Sequence, residues 1–411
     1  MGENYKIVKH ILMICIVMLI CCHGGICVSA AGRITGVCQS GDGLTTASVT
    51  WLAADAAPGA AFGVYLYDNA GNLLGYQVAS GEQAWFNGLQ PGTSYYVQVV
   101  QLTVQGEAIA DTMSDKVELV TRPDISQAGL VQQGQTENSV SILLQNVSGA
   151  NQYTVNTMLL GVEGAVASQV FGNVVMTLPI LENTAAQVAV YPQRAASTGY
   201  VAVNLEQPLI LDVYVIPSKV QEVYVGVWYP TVKPKGTTFP GYKSNKVCLE
   251  WQNNNYADGY QVIIYDLSGK KRKTYEVSAQ SETYCKKEFT LAAIKNKGFM
   301  AEVSAYKVIG GQKCYGICSE REIVLPQATV TKITGTAKKR TIYWKKVANA
   351  SKYVVYRVRK GKLKAIKTFG KGVVKYTVKN LKSGDGLAVA AKVKVNGKWH
   401  TSSITWYISQ Y

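Results

Sequence analysis

Apolar residues alternate with polar ones along short runs broken by glycine turns, a period of two that predicts β-strands over most of the chain. One such pattern starts on a tryptophan strand, Val49-Thr50-Trp51, continues through Val64-Tyr65-Leu66-Tyr67 and reaches Leu89-Gln90-Pro91-Gly92-Thr93-Ser94-Tyr95. It restarts at Leu249-Glu250-Trp251 and at Ile342-Tyr343-Trp344. Taking Trp51, Leu144, Trp251 and Trp344 as equivalent positions gives intervals of 93, 107 and 93 residues. A two-layer β-sandwich of the immunoglobulin kind needs roughly 100 residues, so the period predicts four of them.

Turn chemistry falls in register with the strands. After each tryptophan comes a tight connection: Asp68-Asn69-Ala70-Gly71, Leu267-Ser268-Gly269-Lys270 and Arg359-Lys360-Gly361-Lys362. A second hairpin recurs at Val104-Gln105-Gly106-Glu107, Ile309-Gly310-Gly311-Gln312 and Val395-Asn396-Gly397-Lys398. Glycine at these points supplies the positive φ that a two-residue hairpin needs.

The segment Leu89 to Tyr95, followed by Val97 and Val99, resembles the corner of a fibronectin type III domain, and Trp344 to Arg357 is similar to such repeats in secreted bacterial proteins. The resemblance implies an all-β chain, a linear array of about four fibronectin type III-like sandwiches. It makes Trp51, Trp251 and Trp344 core residues and has the Tyr95 hydroxyl bond back to the backbone. Phe299 and Leu387 stand where tyrosine is expected, which keeps the apolar plug without the hydroxyl. The expected domains are 32–122, 123–216, 217–326 and a basic one at 327–411. The second keeps Val140, Ile142, Leu144, Tyr153 and Val155 but lacks both the tryptophan and the corner tyrosine, so its place rests on position and length.

Residues 1–31 read as a secretory signal peptide: Lys6 and Lys9, an apolar run from Ile11, then Val28-Ser29-Ala30-Ala31 at the cleavage point. The rival reading, a retained anchor, needs about 20 apolar residues, and Cys21-Cys22-His23-Gly24-Gly25 interrupts the run. No transmembrane segment is expected after signal removal, and the chain is expected to be secreted or associated with the cell surface.

Candidate chemistry is sparse. His10 and His23 lie in the signal segment, leaving His400, which reads as a solvated strand residue without a motif-supported nucleophile. Acids such as Asp68, Glu118, Asp266 and Glu276 stand singly, unlike the paired carboxylates of glycosidases. No phosphate-cradling glycine loop joins a strand to a helix. We expect no enzymatic activity, no cofactor and no metal.

Five cysteines follow the signal segment: Cys38, Cys248, Cys285, Cys314 and Cys318. Alternation points Cys248 outward, and Cys285 is expected on the neighbouring strand, which leaves open a surface disulfide between them. Cys314 and Cys318 would pair only through a bend at Gly316, a four-cysteine zinc site lacks the usual spacing, and Cys38 is expected to be a free thiol.

Charge changes the picture. Residues 32–217 carry 4 Lys/Arg against 14 Asp/Glu, residues 218–326 carry 16 against 10, and residues 327–411 carry 20 against 1. The basicity of the chain, +16 overall, is thus concentrated in its last domain. There Lys338-Lys339-Arg340, Arg357, Arg359, Lys360, Lys362, Lys364, Lys392 and Lys394 alternate with apolar residues, so cations gather on outer sheet faces. Such a surface attracts polyanions, and an equal reading is that lysine keeps strand faces soluble and edges unpaired. Trp85, Trp399, Trp406, Tyr407 and the Trp228-Tyr229 pair are the exposed or junctional aromatics, suited to stacking on sugars or to packing between domains.

The sequence therefore predicts a non-catalytic binding or spacer protein whose basic last domain docks on an anionic cell-wall polymer, a glycan or a protein. Nucleic acid is the disfavoured polyanion. The alternative is an accessory module of an extracellular polysaccharide-degrading system.

Overall fold

Strands follow the period-two runs, and hairpins close where residues with positive φ permit. The structure is a computed structural model that describes residues 34–404 except 55, 57, 58, 163, 165 and 229–245. The expected signal peptide and the candidates Tyr229, Trp406 and Tyr407 lie outside the described residues, as does the side chain of Trp228. Two compact units, Met1–Val215 and Ile216–Tyr411, divide the chain.

In the first unit, β1 (Thr35–Asp42), β2 (Thr46–Leu52) and β5 (Gln83–Asn87) form one sheet. It faces another, ordered β4-β3-β6-β7, made of β3 (Phe62–Tyr67), β4 (Leu73–Ala79), β6 (Ser94–Gln101) and β7 (Val117–Val120). Trp51, Phe62, Val64, Val97, Val99 and Leu119 fill the space between them.

The next pair repeats the plan. A sheet ordered β12-β9-β8 consists of β8 (Gly129–Gln135), β9 (Ser139–Gln145) and β12 (Val175–Pro179). Its partner, ordered β11-β10-β13-β14, holds β10 (Gln152–Leu159), β11 (Val166–Phe171), β13 (Ala185–Ala195) and β14 (Val201–Val203), with β15 (Leu209–Tyr214) also on β13. Val140, Ile142, Val155, Val188 and Val190 are fully buried there. The stretch with the weakest sequence signal thus has the same strand order as the first pair.

In the second unit, β16 (Tyr224–Trp228), β17 (Val247–Gln252) and β20 (Tyr284–Phe289) form a three-stranded sheet. Opposite lie β18 (Gly259–Tyr265), β19 (Lys271–Ser278), β21 (Phe299–Ile309) and β22 (Gln312–Tyr315), with β23 (Glu322–Val324) also on β21. The last pair joins β24 (Val330–Thr336), β25 (Lys339–Trp344) and β28 (Lys375–Lys379) in one sheet. Its other sheet, ordered β27-β26-β29-β30, holds β26 (Lys352–Arg359), β27 (Lys362–Gly370), β29 (Gly386–Val395) and β30 (Lys398–Thr401). Among the described residues there is no α-helix, only 3-10 turns at Ala110–Thr112 and Ala292–Ile294.

The tryptophans anchor the cores as expected: Trp51, Trp251 and Trp344 are at most 3% exposed. Each meets a ring near the start of the next strand: Trp51 and Phe62 at 5.5 Å, Trp251 and Tyr260 at 5.4 Å, Trp344 and Tyr353 at 5.6 Å between centroids. The Tyr95 hydroxyl accepts a hydrogen bond from the Gln90 backbone N–H at 2.7 Å, the corner bond that the resemblance implies. Phe299 and Leu387 are fully buried at the corner without a hydroxyl. Their two cores place a tyrosine lock elsewhere: Asn254 N–H donates to Tyr260 Oη at 2.6 Å, and Val347 N–H to Tyr353 Oη at 2.8 Å.

The two sheet pairs of the first unit meet through polar groups around Asp42. Its carboxylate accepts from Arg122 Nε at 2.8 Å, from the Tyr200 hydroxyl at 2.9 Å and from Val203 N–H at 3.2 Å. Arg194 Nη2 donates to Ser94 Oγ at 2.8 Å, and Ser197 donates to Glu118. Backbone passes close by: a Cβ added to Gly149, at φ +78°, would lie 2.4 Å from the Gly92 Cα. Glycine is required at that crossing.

The cysteines correct the sequence expectation. Cys285 lies opposite Trp251 with its side chain in the core, whereas Cys248 lies opposite Glu288 on the other face of the same two strands. Three rungs and a sheet thickness separate them, so no disulfide forms between Cys248 and Cys285, and none of the five described cysteines is in one. Cys248 is also buried rather than solvent-facing, at 8% exposure.

Candidate binding surface

Twenty cations and one acid, Asp385, lie in the stretch that ends the chain. The fold first decides which cations that acid takes. Asp385 precedes β29 and its side chain is fully buried. Arg359 grips it from β26 with Nε to Oδ1 at 2.6 Å and Nη2 to Oδ2 at 2.8 Å, and Lys382 N–H adds a third bond at 2.8 Å. Arg357 Nε stands 3.8 Å from the same carboxylate. From the opposing sheet, Arg340 Nη1 donates to the Asp385 carbonyl at 2.6 Å. The Arg359 hydrogen bonds, outweighing the opposing cost of burial, hold the Asp385 carboxyl down at about 2.

Three sequence candidates therefore change role. Arg340 was expected on the outer face beside Lys338 and Lys339, yet it is 2% exposed. Its phase explains this: Arg340, Ile342 and Trp344 share the inward side of β25, and a charged end residue reaches the core's rim only because two backbone carbonyls, of Asp385 and Ala337, receive it. Arg357 and Arg359 turn toward Asp385 as well, while their side chains stay 28% and 42% exposed.

The remaining lysines fall into three groups. Lys360, Lys362 and Lys364 are exposed on the β26–β27 hairpin, whose Lys360 and Gly361 have φ values of 47° and 73°. Lys392 and Lys394 share one face of β29, with Lys394 directly opposite Trp399 and Lys392 opposite Lys352. Trp399 is 45% exposed, and the Lys352 ammonium stands 4.6 Å from its ring centroid. Trp85 is also exposed, on β5 of the first unit.

Lys338 and Lys339 belong to the third group, which the sequence leaves incomplete. On the outward face of β24, β25 and β28, the cross-strand rungs read Thr336–Lys339–Lys379, Thr334–Thr341–Thr377 and Lys332–Tyr343–Lys375. Thr341 and Thr377 hydroxyls are 2.8 Å apart, and Thr341, Tyr343, Lys375, Tyr376 and Thr377 line an open depression. Lys332 and Lys339 stand far from Lys375 and Lys379 in sequence, so only the pairing brings the two sets together.

His400 is half-buried on β30 opposite Val393, rather than the solvated residue expected. Burial pushes the Glu322 carboxyl up.

No protein-family profile matches the chain, and no curated protein matches it. Among solved structures, the FN1–FN3 domains of chicken CNTN1 align at 16% identity over 72% of this chain and 99% of theirs, with a TM-score of 0.27. Two fibronectin type III domains of chicken tenascin align at 14% over 44% of this chain and 98% of theirs, TM-score 0.24. A tetra-tandem repeat from the extending region of a large adhesion protein aligns at 12% over 88% and 94%, TM-score 0.23. The fibronectin type III-like architecture of this chain stands on its own strand orders, hairpins and tyrosine corner.

Proposed function

We propose that the chain is a secreted or cell-surface binding protein without catalytic activity, built as four sandwich domains over 32–122, 123–216, 217–326 and 327–411. In this reading the acidic first domains are spacers, and the basic last domain docks on an anionic cell-wall polymer or glycan. One observation carries it. The only acid of residues 327–411 is committed to the arginines, while Lys338, Lys339, Lys360, Lys362, Lys364 and Lys394 are exposed. Unneutralised ammonium groups on one domain set up a positive potential that a polyanion lowers.

The test uses the full chain and purified cell walls or an acidic glycan. Replacing Lys338, Lys339, Lys360, Lys362 and Lys364 with Gln should reduce binding at least ten-fold while leaving the fold intact by circular dichroism. Binding equal to that of the parent would reject the docking role.

A further inference from the structure

The outward face of β24–β25–β28 has a composition that electrostatics alone does not require. Lys339 and Lys379 mark one end, Lys332 and Lys375 with Tyr343 mark the other, and Thr334, Thr341 and Thr377 form a hydroxyl row between. Tyr343 lies four positions beyond Lys339, and Lys379 four beyond Lys375, so the two cationic rungs lie about 13 Å apart along the strands. Adjacent strands are about 4.8 Å apart, which makes the face a grid three strands wide. Among the described residues the face carries no carboxylate, and a pair of threonine hydroxyls in mutual contact leaves lone pairs and a proton directed outward.

From this arrangement we propose that the grid is the docking surface for an extended carboxylated polysaccharide lying along the strands. Its carboxylates meet the lysine rungs, and its hydroxyls meet the threonine row. The proposal rests on the reading of the last domain as a polyanion-binding module and assigns it a face and a ligand class. Charge complementarity selects an anionic partner. The hydroxyl row then favours a polyuronate over a polyphosphate, because sugar hydroxyls both donate to the threonine lone pairs and accept the outward proton, whereas a bare phosphate chain only accepts. Tyr343, half-buried at the rung between Lys332 and Lys375, offers a ring edge beside which a sugar ring packs.

The Lys352, Lys392, Lys394 and Trp399 face is the competing surface on the same domain. Its aromatic already holds the Lys352 ammonium at 4.6 Å, whereas the grid presents two spaced cationic rungs with the threonine hydroxyls between them. The two faces are separable by mutation.

Binding of the full chain to polygalacturonate and to its oligomers of graded length, measured by calorimetry, tests the proposal, with polyphosphate as the contrasting probe. K332Q/K375Q and K339Q/K379Q should each weaken polygalacturonate binding about ten-fold, and oligomers too short to span both rungs should bind equally weakly to the parent and to either pair. T341A/T377A should weaken polygalacturonate several-fold and polyphosphate distinctly less. Loss of polygalacturonate binding in K352Q/K392Q/K394Q, with the grid pairs unaffected, would overturn the assignment of the face and leave the docking function standing. Equal loss of both probes in T341A/T377A, or tight binding of polyphosphate with none of polygalacturonate, would overturn the ligand class. An absence of binding to either probe by the parent chain would overturn both the proposal and the reading on which it rests.

Discussion

Arg359 holds Asp385 by two parallel hydrogen bonds, 2.6 and 2.8 Å long, at the rim of the last sandwich core. Arg340 reaches the Asp385 carbonyl from the facing sheet, so one residue ties both layers. Removing the carboxylate leaves the arginine charges without a counter-ion, and D385N is expected to cost about 3 kcal/mol. Denaturant unfolding should show it, and an unchanged midpoint would mean the ion pair contributes nothing.

The same pair sets an acid limit. The folded Asp385 carboxyl is held near 2, below its ordinary 3.8. Its stabilisation is therefore complete above about pH 4 and is withdrawn as pH falls toward 2, where the proton enters. Stability measured from pH 5 to pH 2 should fall less steeply in D385N than in the parent. Parallel curves would contradict the shift.

Two tyrosine locks stand outside the corner position. Tyr260 and Tyr353 each accept a backbone N–H six residues upstream, from Asn254 and Val347. Tyr353→Phe keeps the ring against Trp344 but orphans the Val347 N–H, at an expected cost of about 1–2 kcal/mol. A Y353F thermal midpoint equal to that of the parent would show that the ring alone holds the core.

Much of this was legible in the sequence, because its signals are local. The tryptophan strands and the Asn396-Gly397 and Gly310-Gly311 hairpins are set by period and by turn residues, and they appear where expected. The strand order of residues 123–216 was less visible, since Leu144 replaces the tryptophan and Tyr153 alone supplies a buried ring at that step. Arg340 was misplaced because the run Lys338-Lys339-Arg340 looks uniformly cationic, although its phase with Ile342 and Trp344 already points inward. Register across strands was not legible at all. It separates Cys248 from Cys285 and joins Lys332, Lys375 and Lys379 to Lys339.

Thiol chemistry follows from that register. Burial, helped by the Glu250 charge, pushes the Cys248 thiol up to about 11, and burial also raises Cys285. At pH 8 iodoacetamide should label exposed Cys38 and Cys318 well before Cys248 and Cys285. Mass spectrometry of the unreduced protein should find no peptide linking Cys248 to Cys285, and detection of that link would contradict the strand pairing.

Gly149 tests the junction inside the first unit. Alanine there meets both a left-handed backbone and the Gly92 backbone at 2.4 Å, so G149A should cost about 2 kcal/mol or more. A neutral substitution would mean the two loops do not cross as described.

Salt titration of polygalacturonate binding by the full chain addresses the central claim most directly. If the lysine surfaces of residues 327–411 provide the attraction, affinity should fall continuously as ionic strength rises from about 0.05 to about 0.5 M. The lysine-to-glutamine variants should begin lower and fall less steeply. Affinity independent of salt, and equal in parent and variants, would contradict it.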